Sequence, residues 1–251
     1  MKIAIAGYGY VGKAHEAILS DHYDIEIVDP AIAEYADKIS KDVDAIIICV
    51  STPMGSHGGC HMDNVYNVIE DAPKVPILIK STISVEGWRM LRHVFTGHSL
   101  TYSPEFLRAE SWLQDAQETD HLYLGGGDSG FWTDVFLNAL GQISVSVIDA
   151  AELVTAKSVR NNFLALKVSF FNQMYDYCTA QGLNYDLVAG VVGDDHRIGH
   201  SHTTITHERG FGGHCFPKDV QALIKSGEPV GCELTLMKES LKYNESIRKK
   251  S

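Results

Sequence analysis

One cysteine stands between a run of glycines and a Pro-Lys-Asp in the segment RGFGGHCFPKD (209–219). Glycines let the main chain turn and come close to a ligand. Pro217 has the φ of a first helical residue, and KDVQALIKSG after it has helical spacing and a closing glycine. Cys215 therefore precedes a helix N-terminus, where the helix dipole and nearby cations favour thiolate over thiol. That layout suits a nucleophile; taken alone it also suits a buried cysteine in a tight loop. A second pair, Lys157 and Asn161, lies four residues apart on a helical stretch and so shares one face. An ammonium and an amide aimed at one point stabilise a developing oxyanion; on a solvated face the same pair does nothing.

A third constellation points to a dinucleotide. Gly7, Gly9 and Gly12 form GxGxxG, in GYGYVG, between the apolar run KIAIA and the helical stretch VGKAHEAILS. The first glycine permits a tight turn, the second lets a pyrophosphate approach the backbone, and the third allows close helix–strand packing. The phosphates would sit on the helix N-terminus, at Tyr10 and Val11. Asp29 ends the next strand, where a carboxylate binds both adenosine ribose hydroxyls and repels a 2′-phosphate. NAD is thus expected, rather than NADP.

The elements that must hold these groups follow from the pattern. Strands are expected at KIAIA, YDIEIVD, VDAIIICV, PILIK and SLTYS, with helical segments between most of them. HLYLGG (121–126) and ISVSVID (143–149) flank a further helix, SGFWTDVFLNALG. Strands alternating with helices predict a Rossmann-type, doubly wound parallel α/β sheet. From about residue 150 the pattern becomes helical, beginning with one long stretch free of Pro and internal Gly until Gly182. The reading is an NAD-binding domain over 1–150 and a mainly helical central domain over 151–251, without a flexible linker.

Composition narrows the partners. A formal net charge of −11 argues against nucleic acid or an anionic membrane surface. The longest apolar run, AIIICV, is too short to span a bilayer, and the N-terminus opens directly on a strand. Five irregularly spaced cysteines argue against a disulfide framework, so a reducing, cytoplasmic setting is expected. No metal is expected. The histidines of HSHTTITHE (200–208), with His196 and His214, lack a ligand spacing, and His57, Cys60 and His61 read as loop residues.

Taken together, these segments resemble the UDP-glucose/GDP-mannose dehydrogenase family. The likeness runs through GYGYVG with Asp29, STP (51–53), KSTI (80–83), SPEFLRAE (103–110), AELVTAKSVRNNFLALKVSFFN (151–172), DDHRIG (194–199) and GFGGHCFPKD (210–219). It implies oxidation of a nucleotide-sugar C6 alcohol, on a UDP- or GDP-sugar, to the carboxylate with two NAD. Cys215 then matches the nucleophile that forms a thiohemiacetal and a thioester. Lys157 and Asn161 match the oxyanion holders, and Asp219 the carboxylate that assists proton transfer. Glu105 and Thr82 match residues that position water and contact the sugar or cofactor. Ser51, Thr52 and Pro53 fall with the cofactor residues; Phe106, Leu107 and Gly212 fall with the substrate residues. Arg197 matches an arginine that family dimers supply across the subunit interface, so a homodimer is implied. Members continue into a second Rossmann-like domain that binds the nucleotide. ELTLMKESLKYNESIRKKS resembles the segment leading into it, so the resemblance implies a partial-length chain, with a separate chain as one source of that domain. The alternatives are a one-step NAD-dependent hydroxy-acid or alcohol dehydrogenase, which needs no cysteine, and a non-catalytic NAD-binding regulatory or split-enzyme subunit.

Overall fold

The computed structural model describes residues 1–55, 58–213 and 215–248. His57 and His214 lie outside the described residues. By packing, the chain divides into two units: one takes in residues 1–55 and 60–157, the other residues 58–59 and 158–248.

The first unit is built on a seven-stranded sheet in the order β2-β1-β3-β4-β5-β6-β7. The strands are β1 (Lys2–Ala6), β2 (Asp24–Val28), β3 (Ala45–Ile48), β4 (Ile77–Ile79), β5 (Leu100–Tyr102), β6 (His121–Gly126) and β7 (Ser144–Val147). Its helices are α1 (Tyr10–Leu19), α2 (Asp63–Asp71), α3 (Val85–Val94), α4 (Trp112–Gln117) and α5 (Ser129–Leu140). Side chains alternate between two cores, as a strand of period two requires. Ile46, Ile48, Ile77 and Ile79 pack with Val65, Ile69, Trp88 and Leu91. Ile3, Ile5, Ile47 and Leu78 pack with Leu19, Trp132 and Phe136. Strands covered on both faces read as continuous apolar runs, which is why IAIA and AIIIC carry no polar alternation.

The sheet is mostly parallel rather than wholly so. β5 and β6 pair antiparallel, Thr101 opposite Gly126 and Tyr102 opposite Gly125, while β6 and β7 are parallel again. The cause lies in the connection. A parallel return needs a crossover of a dozen or more residues, usually a full helix. Residues 103–120 instead carry only the six-residue α4, a helix absent from the expected elements. The chain re-enters the sheet from the carboxyl end of β5, which leaves SPEFLRAE at that end.

The second unit is helical. α6 (Ala150–Ala180) begins in the first unit and supplies most of its length to the second, followed by α7 (Tyr185–Gly193), α8 (Phe216–Gly227), a short 3-10 turn (Glu228–Val230) and α9 (Thr235–Ile247). Ala165, Phe211, Val220, Ile224 and Met237 form one small core; Phe171, Cys178, Tyr185 and Ala189 form another. Among the described residues no helix is long and apolar enough to cross a membrane.

Candidate functional site

Each unit gathers part of the expected residues. In the first, the strand order places β1 between β2 and β3, so successive crossovers leave β1 in opposite directions. Such a switch point opens a crevice at the carboxyl ends of the strands. Gly7 turns the chain there with φ +93°, and a Cβ on it would lie 2.7 Å from the main chain of Cys49 and Val50. A Cβ on Gly12 would strike the Gly7 carbonyl, which is the close helix–strand contact expected of the third glycine. Gly9 differs: a Cβ there meets nothing within 4 Å. Packing does not require glycine at that position, whereas a pyrophosphate lying against the backbone does.

Gly9 caps α1, so the first-turn amides at Tyr10, Val11 and Gly12 have no acceptor within the helix. Asp29 is oriented by two amides, Tyr8 N donating to Oδ2 (2.8 Å) and Ala31 N to Oδ1 (3.0 Å). It borders a cavity of about 420 Å³ together with Gly7, Ile39, Val50, Ser51 and Val68. The cavity lining also includes Asp37, Asp71 and Lys38, while Ile39, Val50 and Val68 offer apolar walls that suit an adenine with Asp29 beside the ribose. These residues fit NAD.

Two neighbouring turns are tied to each other. Thr52 is buried and its hydroxyl donates to the Thr82 carbonyl at 2.6 Å. Ser81 Oγ donates to Val50 O at 2.7 Å, so the STP and KSTI segments hold together beyond β3 and β4. Asn64 holds the Ser51 carbonyl (2.9 Å), and Pro53 accepts from His61 N (2.8 Å).

The SPEFLRAE turn is the most heavily anchored segment. Oε1 of Glu105 accepts from the amides of Phe106 (2.8 Å) and Leu107 (3.2 Å). Oε2 lies 3.1 Å from Lys80 Nζ and 3.9 Å from His15 Nε2. Lys80, whose side chain is 4 % exposed, also donates to Ser103 Oγ at 3.1 Å. Burial alone would raise the Glu105 pKa; the Lys80 ammonium, with His15 and the Phe106 amide, outweighs it and holds the carboxyl below its ordinary range. Burial, reinforced by the charge of Lys80, pushes His15 down to about 4 against the opposing pull of Glu105 and the Val11 carbonyl. Its Nδ1 lies 2.8 Å from Val11 O and donates to it, as a neutral imidazole can. Burial likewise pushes the Cys49 thiol far up. The Glu105 carbonyl accepts from Lys157 Nζ, which sits 5.2 Å from the Phe106 ring centre. Arg108 closes the turn onto α4 through Asp115, Nε at 3.0 Å from Oδ2. Sequence reasoning picked out Glu105 and Lys157 but neither Lys80 nor His15.

In the second unit, Cys215 is the exposed N-cap of α8, and Pro217 lies in the first turn, one residue after the helix begins at Phe216. Its carbonyl accepts from Asp219 N at 2.8 Å. The Asp219 side chain is buried. Its Oδ2 accepts from Asn161 Nδ2 at 2.6 Å, and Asn162 Nδ2 donates to its carbonyl at 3.1 Å. Lys218 Nζ lies 3.2 Å from Oδ1, an ion-pair distance without the angles of a hydrogen bond. Asn161, Asp219 and Cys215 thus come together on α6 and α8.

The glycine loop ahead of Cys215 is held by asparagines. Asn244 of α9 accepts from Phe211 N (2.7 Å) and donates to Phe211 O (3.1 Å), while Asn172 of α6 accepts from Gly210 N (3.1 Å). Gly212 lies against the Arg248 guanidinium. Arg197 is exposed and paired to Asp195, Nε to Oδ1 at 2.9 Å. On α6, Phe171 is buried in its own unit's core and Leu166 packs against the neighbouring core, whereas Phe163 and Phe170 are 61 % and 51 % exposed. Among the described residues no group of three His, Cys, Asp or Glu is placed to hold a metal ion.

The chain is similar to known proteins along most of its length. Residues 31–133 match the NAD binding domain, and residues 149–246 the central domain, of the UDP-glucose/GDP-mannose dehydrogenase family. A UDP-glucose 6-dehydrogenase from Bacillus subtilis is 28 % identical over 97 % of this chain, which spans 66 % of that relative. The structure of a UDP-glucose dehydrogenase from the hyperthermophilic archaeon Pyrobaculum islandicum superposes with a TM-score of 0.84 at 26 % identity, covering 98 % of this chain and 68 % of that one. A Mycobacterium tuberculosis 3-hydroxyisobutyrate dehydrogenase shares the fold, with a TM-score of 0.71 at 18 % identity over 98 % of this chain and 93 % of that one.

Proposed function

The chain belongs to the UDP-glucose/GDP-mannose dehydrogenase family, and on that premise we propose that it oxidises the C6 alcohol of a UDP- or GDP-sugar to a carboxylate. The observation that carries this reading is the exposed Cys215 at the head of α8 with the buried Asp219 one turn inside it. NAD, held by Gly7, Gly9, Gly12 and Asp29, supplies the hydride acceptor for each of the two oxidations. After the first, the Cys215 thiolate adds to the C6 aldehyde and retains it as a thiohemiacetal. Loss of a second hydride leaves a thioester, and water cleaves its C–S bond to give the acid and the thiol. Lys157 and Asn161 steady the oxyanion. An amide nitrogen carries two N–H groups, so holding Asp219 uses only one of Asn161's. Asp219 takes up the proton, and Thr82 contacts the sugar or cofactor.

The setting is cytoplasmic, where the five thiols stay reduced. The chain acts as a homodimer through the exposed face of α6 that carries Phe163 and Phe170, with Arg197 reaching the partner's substrate. The test is a panel of UDP- and GDP-sugars with NAD, following NADH and product acid. Two NADH per acid, abolished in Cys215→Ser, is the expected result. One NADH per product, unaffected by Cys215→Ser, would replace this reading with a one-step dehydrogenase.

A further inference from the structure

A lysine with 4 % of its side chain exposed, at the end of a wholly apolar strand, is an expensive residue to keep. The GxGxxG turn does not need it, and none of the steps above uses it. Its surroundings show what it does. Four titratable groups from four elements converge there: His15 from α1, Cys49 after β3, Lys80 after β4 and Glu105 after β5. His15 and Cys49 are kept neutral by burial, so Lys80 and Glu105 are the ion pair of this cluster, the ammonium buried and the carboxylate largely so. Oε1 already takes two amides and Oε2 faces Lys80. The Glu105 main-chain carbonyl in turn receives the Lys157 ammonium.

We propose that Lys80 is a positioning residue. By pinning the Glu105 carboxylate it fixes the Glu105–Phe106–Leu107 turn, and through the Glu105 carbonyl and the Phe106 ring it sets where the Lys157 ammonium points. Lys80 acts two contacts away from the group it serves. The functional sense of this rests on Lys157 stabilising an oxyanion, but the positioning itself is readable without turnover.

The experiment is trace acetylation of lysines with acetic anhydride, quantified residue by residue by mass spectrometry between pH 7 and 10. Lys167, whose ammonium rests on the Ile198 and Gly199 carbonyls in the other unit, serves as the internal standard. In Lys80→Met the labelling of Lys157 relative to Lys167 should rise roughly tenfold, the size expected when a hydrogen bond to a charged group is lost. Lys80→Arg, which keeps the charge on Glu105, should return it most of the way. Lys80→Met leaves a largely buried carboxylate without its counter-ion and risks failing to fold. Lys80→Met with Glu105→Gln removes both charges and keeps an acceptor for the two amides, and it should show the same rise with unchanged circular dichroism. A folded Lys80→Met or double variant with the Lys157:Lys167 ratio unchanged overturns the proposal. So does a uniform rise at every lysine of the first unit, which would mark general loosening. If the ratio rises as expected but no nucleotide sugar is oxidised, the positioning stands and the proposed reaction fails.

Discussion

The Glu105 turn and the Cys215 loop are both irregular segments that must present a group at a defined point, and they are held by opposite means. Glu105 is fixed by charge: a carboxylate whose side chain is 16 % exposed, a buried ammonium and a neutral imidazole. The loop before Cys215 is fixed by neutral amides, Asn172 and Asn244 gripping main-chain groups of Gly210 and Phe211. A buried ion pair is weak as a net stabiliser but costly to break, since removing one partner strands the other. Amide-to-backbone bonds carry no net charge and are each worth less, although these lie on buried groups that water does not reach. The first segment is therefore costly to break and pH-sensitive; the second is held by weaker bonds that do not depend on pH and leave its thiol exposed.

The largest effect should come from breaking the charge cluster. Glu105→Ala leaves the Lys80 ammonium buried without its counter-ion, and about 3–5 kcal/mol of unfolding free energy should be lost in urea titrations. A loss smaller than that of the amide variant below would reverse the comparison. Next comes pH. The folded pKa of His15 lies near 4, below its ordinary 6.5, so the unfolded chain binds more protons in that interval. Its contribution is fully present above pH 6.5 and drains away as pH falls towards 4, up to about 3 kcal/mol in all. His15→Gln should flatten the urea midpoint against pH in that window; parallel curves for the two proteins would mean His15 is not held neutral. The amide side should give less. Asn244→Ala removes both bonds to Phe211 and should cost about 2 kcal/mol, independent of pH between 5 and 8.

The same contrast explains what could be read from the sequence. All seven strands, the long α6 and the placing of Asp29 at the end of β2 were legible, because each is a local pattern of period, turn residue or spacing. The antiparallel β6 and the short α4 were not, since strand direction depends on how residues 103–120 return to the sheet. Cys215 and Asp219 sit four residues apart, and their contact follows from a helix start. Lys80 and Glu105 are 25 residues apart and His15 and Glu105 are 90 apart, so no local pattern joins them. A signal was nonetheless present. Lys80 follows the unbroken apolar run PILI, and His15 falls with Gly12 and Leu19 on the buried face of α1. A charge or an imidazole on an inward face must have a partner; only the fold says which.

The smallest effect on stability should come at the residue with the largest effect on chemistry. Cys215 is exposed at the N-cap of α8 and makes no side-chain capping bond, so Cys215→Ser should change unfolding free energy by less than about 0.5 kcal/mol. Exposure and the helix N-terminus together should make it the fastest of the five cysteines to react with iodoacetamide near neutral pH. Cys49 should be the slowest, because burial pushes its thiol far up and only the thiolate reacts. The informative competitor is Cys232, which is also exposed but lies outside any helix N-terminus. If exposure alone governs the rate, the two react alike; if α8 contributes, Cys215 leads, and its lead should shrink in high salt, which screens the helix dipole. Equal rates at low salt would leave Cys215 an ordinary surface thiol and remove the reason for an amide-held loop in front of it.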